Sequence, residues 1–491
     1  MACSLTVSAG VAQSKTPAPR TSSGEARAAR YLESVRSSPG LLEAFLREMP
    51  KGADLHNHLS GAVYAESYIN WAANDGLCVD RTTMALSPPT PPCDAQGGRP
   101  PASDALKDPI LYRQMIDAWS MRNFPTAVQS GHDHFFDTFP KFGAASGNHT
   151  AQMLAEVVSR AASQNVEYME LMLSPDAGGA GQIGRKLTWD DDFEKMRQQV
   201  DAAGAASVIA TARQNLDKYE ADMRKQLRCD QPPESKEEHE RREREGGGAR
   251  GPDPGCQTVV RYVYQVSRAG AREMVFAQVQ IGFELAAADP RVVSVNPVQP
   301  EDWFVPIRDY DLHMRMFSFM KKQYPKVRIT MHAGELAPGL VPPRRLHDHI
   351  RDAIEKGGAE RIGHGVDVMQ EDDPLELLET MRKRNVMVEI NLTSNDVILG
   401  VSGARHPFPI YLKFGVPVAL STDDEGVSRG DITHEYLRAT QDYKLTYAQL
   451  KKLSRNGILY GFEDEATKKQ LLSKFDKDFA EFEKECCEKK P

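Results

Sequence analysis

Residues 53–61 read Ala53-Asp54-Leu55-His56-Asn57-His58-Leu59-Ser60-Gly61, a short apolar run carrying histidines two positions apart. On a β-strand, side chains at i and i+2 leave the same face, so His56 and His58 can reach one metal ion together. Alone, such a pair is most often an accident of a half-buried strand. Three later segments change its weight. Met331-His332-Ala333-Gly334-Glu335, Arg361-Ile362-Gly363-His364-Gly365 and Ser421-Thr422-Asp423-Asp424-Glu425 each end an apolar run in groups that bind metal or move protons.

Working outward, apolar runs of strand length are expected at 54–58, 166–173, 259–266, 278–285, 327–332, 361–364, 386–392 and 416–421. Segments of helical periodicity separate most of them. Eight strands alternating with helices point to an α/β fold, a parallel (β/α)8 TIM barrel. An open doubly wound sheet is the alternative, but no Gly-rich phosphate fingerprint follows the first strand. In a barrel the chemistry sits at the C-terminal ends of the strands, which is where these polar groups fall. Each has a structural alternative: His364 as a turn histidine, Asp423-Asp424 as a helix cap, Glu335 as the cap of the next element. Five such groups, all at strand ends, are hard to explain that way together.

The 491 residues are 40% hydrophobic and 26% charged, as in an ordinary soluble globular protein. A formal net charge of −8 argues against general affinity for nucleic acid or anionic membranes. No apolar stretch is long enough to span a bilayer. Residues 1–25 read as a signal remnant and linker, with Gly10 and Ala12 at the small-residue positions of a cleavage site but no positive n-region. One barrel domain is expected over 26–485, opening with two helices and interrupted by insertions near 77–108 and 228–257. A tail, 486–491, holds the adjacent Cys486 and Cys487. Cys78 and Cys93 bracket the first insertion, and Cys229 and Cys256 the second. Cysteines so placed suit disulfides that staple loops, which favours a periplasmic or secreted protein; scattered reduced thiols in a cytoplasmic one are the alternative. Removing the signal-like segment also removes Cys3 and leaves six. The charge run at 234–245 is expected to be a solvated surface helix. His132 and His134 share the His-x-His spelling but sit in a helical stretch, where i and i+2 diverge, so they are assigned to structure or to the rim.

Three imidazoles and a carboxylate suit zinc, with a further position left to water. The whole set, in its order and over about residues 50–464, resembles the adenosine deaminase family of the metal-dependent amidohydrolases. The resemblance implies one Zn2+ per chain, held by His56, His58, His332 and Asp423; no lysine at the end of the fourth strand suggests a second metal. It implies that Glu335 protonates the purine ring at N1. His364 would orient the attacking water and help take its proton, and Asp424 would hydrogen-bond N7. The Pro-Cys-x-x-Cys element of the cytidine-type deaminases is absent. Departures bear on the substrate. Ser60 stands where the family commonly has an Asp that holds the ribose 5′-hydroxyl. Ala287 aligns with the glycine whose backbone approaches the purine, and Trp303, on the loop after the fourth strand, is expected either to stack on a base or to anchor the surface. The reaction implied is hydrolytic deamination of adenosine or 2′-deoxyadenosine to the inosine product and ammonia. Its rivals are deamination of an N6-substituted purine nucleotide and a secreted binding protein without turnover. The expected ligand is a small purine nucleoside, with no nucleic-acid partner.

Overall fold

A computed structural model describes residues 23–233 and 251–486. Eight parallel strands form the barrel: β1 (Gly52–His58), β2 (Val166–Leu173), β3 (Val259–Ser267), β4 (Val292–Val298), β5 (Arg328–Ala333), β6 (Arg361–His364), β7 (Met387–Ile390) and β8 (Val418–Leu420). Each strand pairs with the next in chain order. The seam between β8 and β1 closes through a parallel bridge between Asn57 and Asp423. There the His58 N–H donates to the Asp423 carbonyl at 3.0 Å and the Asp423 N–H to the His56 carbonyl at 2.8 Å. Both functional segments are therefore fixed by the closure itself.

The chain enters β1 through an anchored turn. Lys51 is fully buried, and its ammonium donates to the carbonyls of Leu46, Met49 and Gln164 at 2.7, 2.9 and 3.0 Å. These bonds satisfy open carbonyls at the end of the helix Pro39–Glu48. That helix and its predecessor, Ser23–Val35, lean on the C-terminal helices Tyr447–Tyr460 and Glu465–Glu485 through a cluster of rings that includes Tyr31, Phe45, Tyr447 and Phe482.

Inside the barrel a line of polar groups runs up to the site. Glu170 (β2) pairs with Arg361 (β6) at 2.6 Å, Arg361 with Glu389 (β7) at 2.7 Å, and Glu389 with His56 Nδ1 at 2.6 Å. These buried charges are mutually paired, as burial requires. The Thr330 hydroxyl also donates to Glu389, at 2.8 Å.

One strand lies elsewhere than expected. Residues 278–285 belong to the helix Arg272–Ala288, and the fourth strand is Val292–Val298. The helix is buried from Val275 through Phe283 without a break, so its apolar residues run on instead of recurring on one stripe. The strand carries Asn296-Pro297, which reads as a loop. The end of the true fourth strand, Val298-Gln299-Pro300, likewise holds no lysine.

The first insertion forms a short antiparallel ribbon, Cys78–Val79 against Leu86–Ser87, tied by a Cys78–Cys93 disulfide. A second disulfide joins Cys229 to Cys256 across the base of the other insertion. The signal-like segment, the charge run at 234–245, Cys3 and Cys487 lie outside the described residues. Among the described residues, no helix is long and apolar enough to cross a membrane.

Candidate active site

At the C-terminal rim of the barrel, β1 delivers His56 and His58, β5 delivers His332, and the turn after β8 delivers Asp423. His332 Nε2 lies 3.1 Å from both His56 Nε2 and His58 Nε2. Asp423 Oδ1 lies 3.5 and 3.4 Å from the same two nitrogens. A tetrahedral shell with zinc–ligand distances of about 2.0–2.1 Å has edges of roughly 3.4 Å. These four distances match such edges. Backbone allows it: a Cβ at Gly363 on β6 would come within 2.6 Å of the His56 ring.

A second layer fixes each ring. His56 Nδ1 donates to Glu389, His332 Nδ1 donates to Asn296 Oδ1 at 2.8 Å, and the Gln265 side-chain amide lies 3.3 Å from His58 Nδ1. Ser394 Oγ donates to Asp423 Oδ2 at 2.6 Å. Nδ1 protons given to Glu389 and to Asn296 leave the Nε2 lone pairs of His56 and His332 pointing inward, the usual arrangement around a ligated metal. Burial, foremost, holds His58 down at about 4 and His332 well below its ordinary value, so both are unprotonated donors. His56 goes the other way. Burial opposes its charge, but Asp423 and Glu389 on its two sides outweigh that and push it up to about 10. The cluster calls for a positive charge at its centre.

Three further groups face the same centre. Burial raises Glu335 above the usual carboxylate range, and burial together with the Asp423 carboxylate raises Asp424 far above it. Asp424 Oδ1 and His364 Nε2 are buried with no hydrogen-bond partner among the described residues. His364, in left-handed backbone at φ +71°, is held from behind: Asn395 Oδ1 lies 2.9 Å from Nδ1, and Asn395 Nδ2 donates to His406 at 2.8 Å. Its Nε2 lies 3.9 Å from Asp423 Oδ2.

A cavity of about 460 Å3 opens onto these groups, with Ser60, Phe136, Gln299 and Trp303 among its walls and no lysine or arginine. Trp303 is 43% exposed at the mouth, its ring 6.4 Å from that of Phe136. Ala287 is not here. It ends the helix Arg272–Ala288 and lines a separate cavity beside Val292 and Arg328, at the N-terminal ends of β4 and β5. The misplaced fourth strand produced that assignment. The residue that follows the true strand and lines the site is Gln299, whose φ of +81° is one glycine adopts freely. In the second His-x-His pair, His134 turns inward to the carbonyls of Ser120 and Asp117, while His132 pairs with Asp302 at the mouth, at 2.9 Å.

Several contributors went unnoticed in the sequence: Gly61, Asn296, Glu301, Gly363 and Glu389. Gly61 and Gly363 stand inside the quoted motifs, Gly363 directly before His364 and Gly61 three residues after His58.

Residues 255–478 match the profile of the adenosine deaminase family. Curated relatives include the adenosine deaminase of Serratia proteamaculans, 37% identical over 149 residues, and that of Aliivibrio fischeri, 36% identical over 162. These matches cover 30% and 33% of this chain and 42% and 45% of the relatives, so the chain spans less than half the length of the curated relatives it matches. Among solved structures, an amidohydrolase from Burkholderia ambifaria with bound zinc is similar at a TM-score of 0.56 and 17% identity, over 90% of this chain and 93% of that one. The Arabidopsis ADAL protein in complex with IMP has a TM-score of 0.56 and 18% identity, over 89% and 99%. An adenine deaminase from Arthrobacter aurescens has 0.52 and 17%, over 87% and 98%. At such identities these likenesses speak for the barrel alone.

Proposed function

We propose that this chain, whose residues 255–478 match the profile of the adenosine deaminase family, is a zinc-dependent aminohydrolase. Its reaction converts adenosine or 2′-deoxyadenosine to the inosine product and ammonia. The observation that carries this reading is one cavity that joins His56, His58, His332 and Asp423, with four of their contacts at 3.1–3.5 Å, to two carboxyls whose pKa values burial raises.

Zinc on His56, His58, His332 and Asp423 would supply Lewis acidity and ionise water near neutral pH. The chain's own groups do the rest. Glu335, protonated in its enclosed site, gives a proton to purine N1 and so makes C6 more electrophilic. His364, with Nδ1 tied to Asn395, presents Nε2 to the incoming water and takes its proton. Asp424, also protonated, donates to N7 and fixes the ring in the cavity. The water oxygen bonds to C6, His364 returns its proton to the departing amino group, and the C6–N bond breaks to release ammonia while the new hydroxyl's proton restores Glu335.

Cavity composition favours a nucleoside over a nucleotide. Arginine and lysine are the usual partners of phosphate, and neither lines this cavity. Ser60 removes a carboxylate that would repel phosphate, but it supplies no charge to hold one. The Arabidopsis N6-methyl-AMP deaminase shares this fold at 18% identity, and that keeps the nucleotide as the reading to test against. The test of the main reading strips the metal with a chelator, restores zinc, and follows ammonia release from adenosine. Turnover should vanish and return. Undiminished turnover by metal-free protein would overturn the proposal.

A further inference from the structure

We infer that Glu301 is a positioning residue for the proton donor, setting the direction in which Glu335 enters the cavity. This rests on the proposed function and adds a residue to its machinery.

Glu301 lies on the loop that follows β4, and it is 1% exposed. Its carboxylate reaches across to the turn after β5. There Oε2 accepts from the Glu335 N–H at 2.9 Å and Oε1 from the Gly334 N–H at 3.3 Å. Two successive backbone donors on one carboxylate fix the peptide plane from which the Glu335 side chain departs. Gly334 stands at φ +71°, and a Cβ there would meet Ile350 within 2.7 Å, so the turn as built takes glycine. The carboxylate is itself held. His349 Nδ1 donates to Oε1 at 2.6 Å, and the His349 ring stacks on Tyr310 at 3.8 Å and 6°. Tyr310 in turn donates its hydroxyl to the His349 carbonyl at 2.6 Å. Burial opposes the charge on Glu301, yet His349 and the nearby Arg268 hold it below the ordinary value, so it remains an acceptor on both oxygens.

Arg268 braces the same corner. Buried to 1% exposure, it donates from Nη1 to the His332 carbonyl at 2.9 Å and from Nε to the Gln299 carbonyl at 3.0 Å. The end of β4 is thus locked to the end of β5 on both sides of the His332–Glu335 turn. None of these groups touches the substrate cavity's reacting end. Glu301 acts through Glu335, whereas Arg268 holds the carbonyl of His332.

An amide in place of the carboxylate has one acceptor oxygen, while three N–H donors converge on Glu301. At least one donor must then move, and the turn moves with it. A displacement of about 1 Å at a catalytic group lowers rate by about 10²-fold. The experiment is a double-mutant cycle on the zinc-loaded enzyme with adenosine, using Glu301→Gln, Glu335→Gln and the double variant. Glu301→Gln should lower kcat about 10²-fold with KM within about threefold of wild type and zinc still at one per chain. In the Glu335→Gln background the same change should lower kcat less than about threefold, since its route is already cut. Losses that multiply in the double variant, or a normal kcat in Glu301→Gln, would overturn the inference. If Glu301→Gln does not fold, Glu301→Asp, which keeps the charge but shortens the reach, carries the same cycle with the same outcomes. A wild type that deaminates no 6-aminopurine would instead overturn the functional reading beneath it, and this inference with it.

Discussion

Gly61 and Asp424 occupy space that admits only one side chain. A Cβ built on Gly61, three residues past the end of β1, would run into the carboxyl of Asp424 beyond β8. Glycine at 61 is therefore what lets Asp424 face the cavity. Gly61→Ala should displace that carboxyl and lower kcat/KM for adenosine about 10²-fold. The four donors do not include Gly61 or Asp424, so zinc should stay at one per chain by metal analysis. Joint loss of zinc and activity would show that the residue supports the shell rather than the purine contact.

Separating metal from proton donor is the next test. His332→Ala removes the nitrogen that lies 3.1 Å from both β1 histidines, so zinc and activity should fall together. Glu335→Gln leaves the four donors intact. It should retain zinc while lowering kcat by about 10²–10⁴-fold, the usual weight of a general acid. Normal deamination by Glu335→Gln would remove Glu335 from its role.

The mouth of the site carries a pH-sensitive clasp. His132, on the helix Gly131–Ser146 whose Phe136 walls the cavity, bridges to Asp302 at 2.9 Å and to Asp133 at 3.0 Å. Burial lowers its affinity for a proton, but the two carboxylates outweigh burial and push it up to about 9. A histidine raised in the folded state stabilises fully below its ordinary value of 6.5, and that stabilisation fades as pH rises through 9. The difference in Tm between wild type and His132→Ala should therefore be larger at pH 6 than at pH 10. An equal difference at both would mean that the pair carries no charge.

Each disulfide closes a loop, with sequence separations of 15 and 27 residues. Chain-entropy arguments assign about 3 kcal/mol to a loop of about 15 residues. Replacing Cys78 and Cys93 together by serine should lower Tm and leave kcat unchanged, because the ribbon they tie contributes no donor to the site. We propose on the same grounds that the protein matures in an oxidising compartment. Thiol labelling of unreduced, denatured protein, with Cys78, Cys93, Cys229 and Cys256 all protected, would bear that out; reactive thiols at these positions would refute it.

What could be read in advance follows from how local each signal is. His56 and His58 were legible because a strand's period of two puts them on one face. His332, His364 and Asp423 were legible because a polar group at the end of an apolar strand is conspicuous. Periodicity failed at 278–285, since a helix buried on every side loses its stripe, and it failed again at Asn296-Pro297, which hid a strand. Ala287 was consequently placed at the wrong end of the barrel, and Gln299 was passed over. Glu389, Asn296 and Glu301 act only through partners distant in sequence. Nothing beside Glu301 in the chain announces that its carboxylate meets the backbone of Glu335. Gly61 stood in plain view, but the reason for it, Asp424, lies at the far end of the barrel strands.

The central claim is that this cavity deaminates a purine nucleoside. It is tested most directly by following absorbance loss on zinc-loaded protein with adenosine, adenosine monophosphate and N6-methyl adenylate in parallel. The account predicts rapid loss with adenosine and little with either nucleotide, as a cavity without arginine or lysine requires. Turnover of a nucleotide alone would contradict it, keeping the chemistry and overturning the substrate.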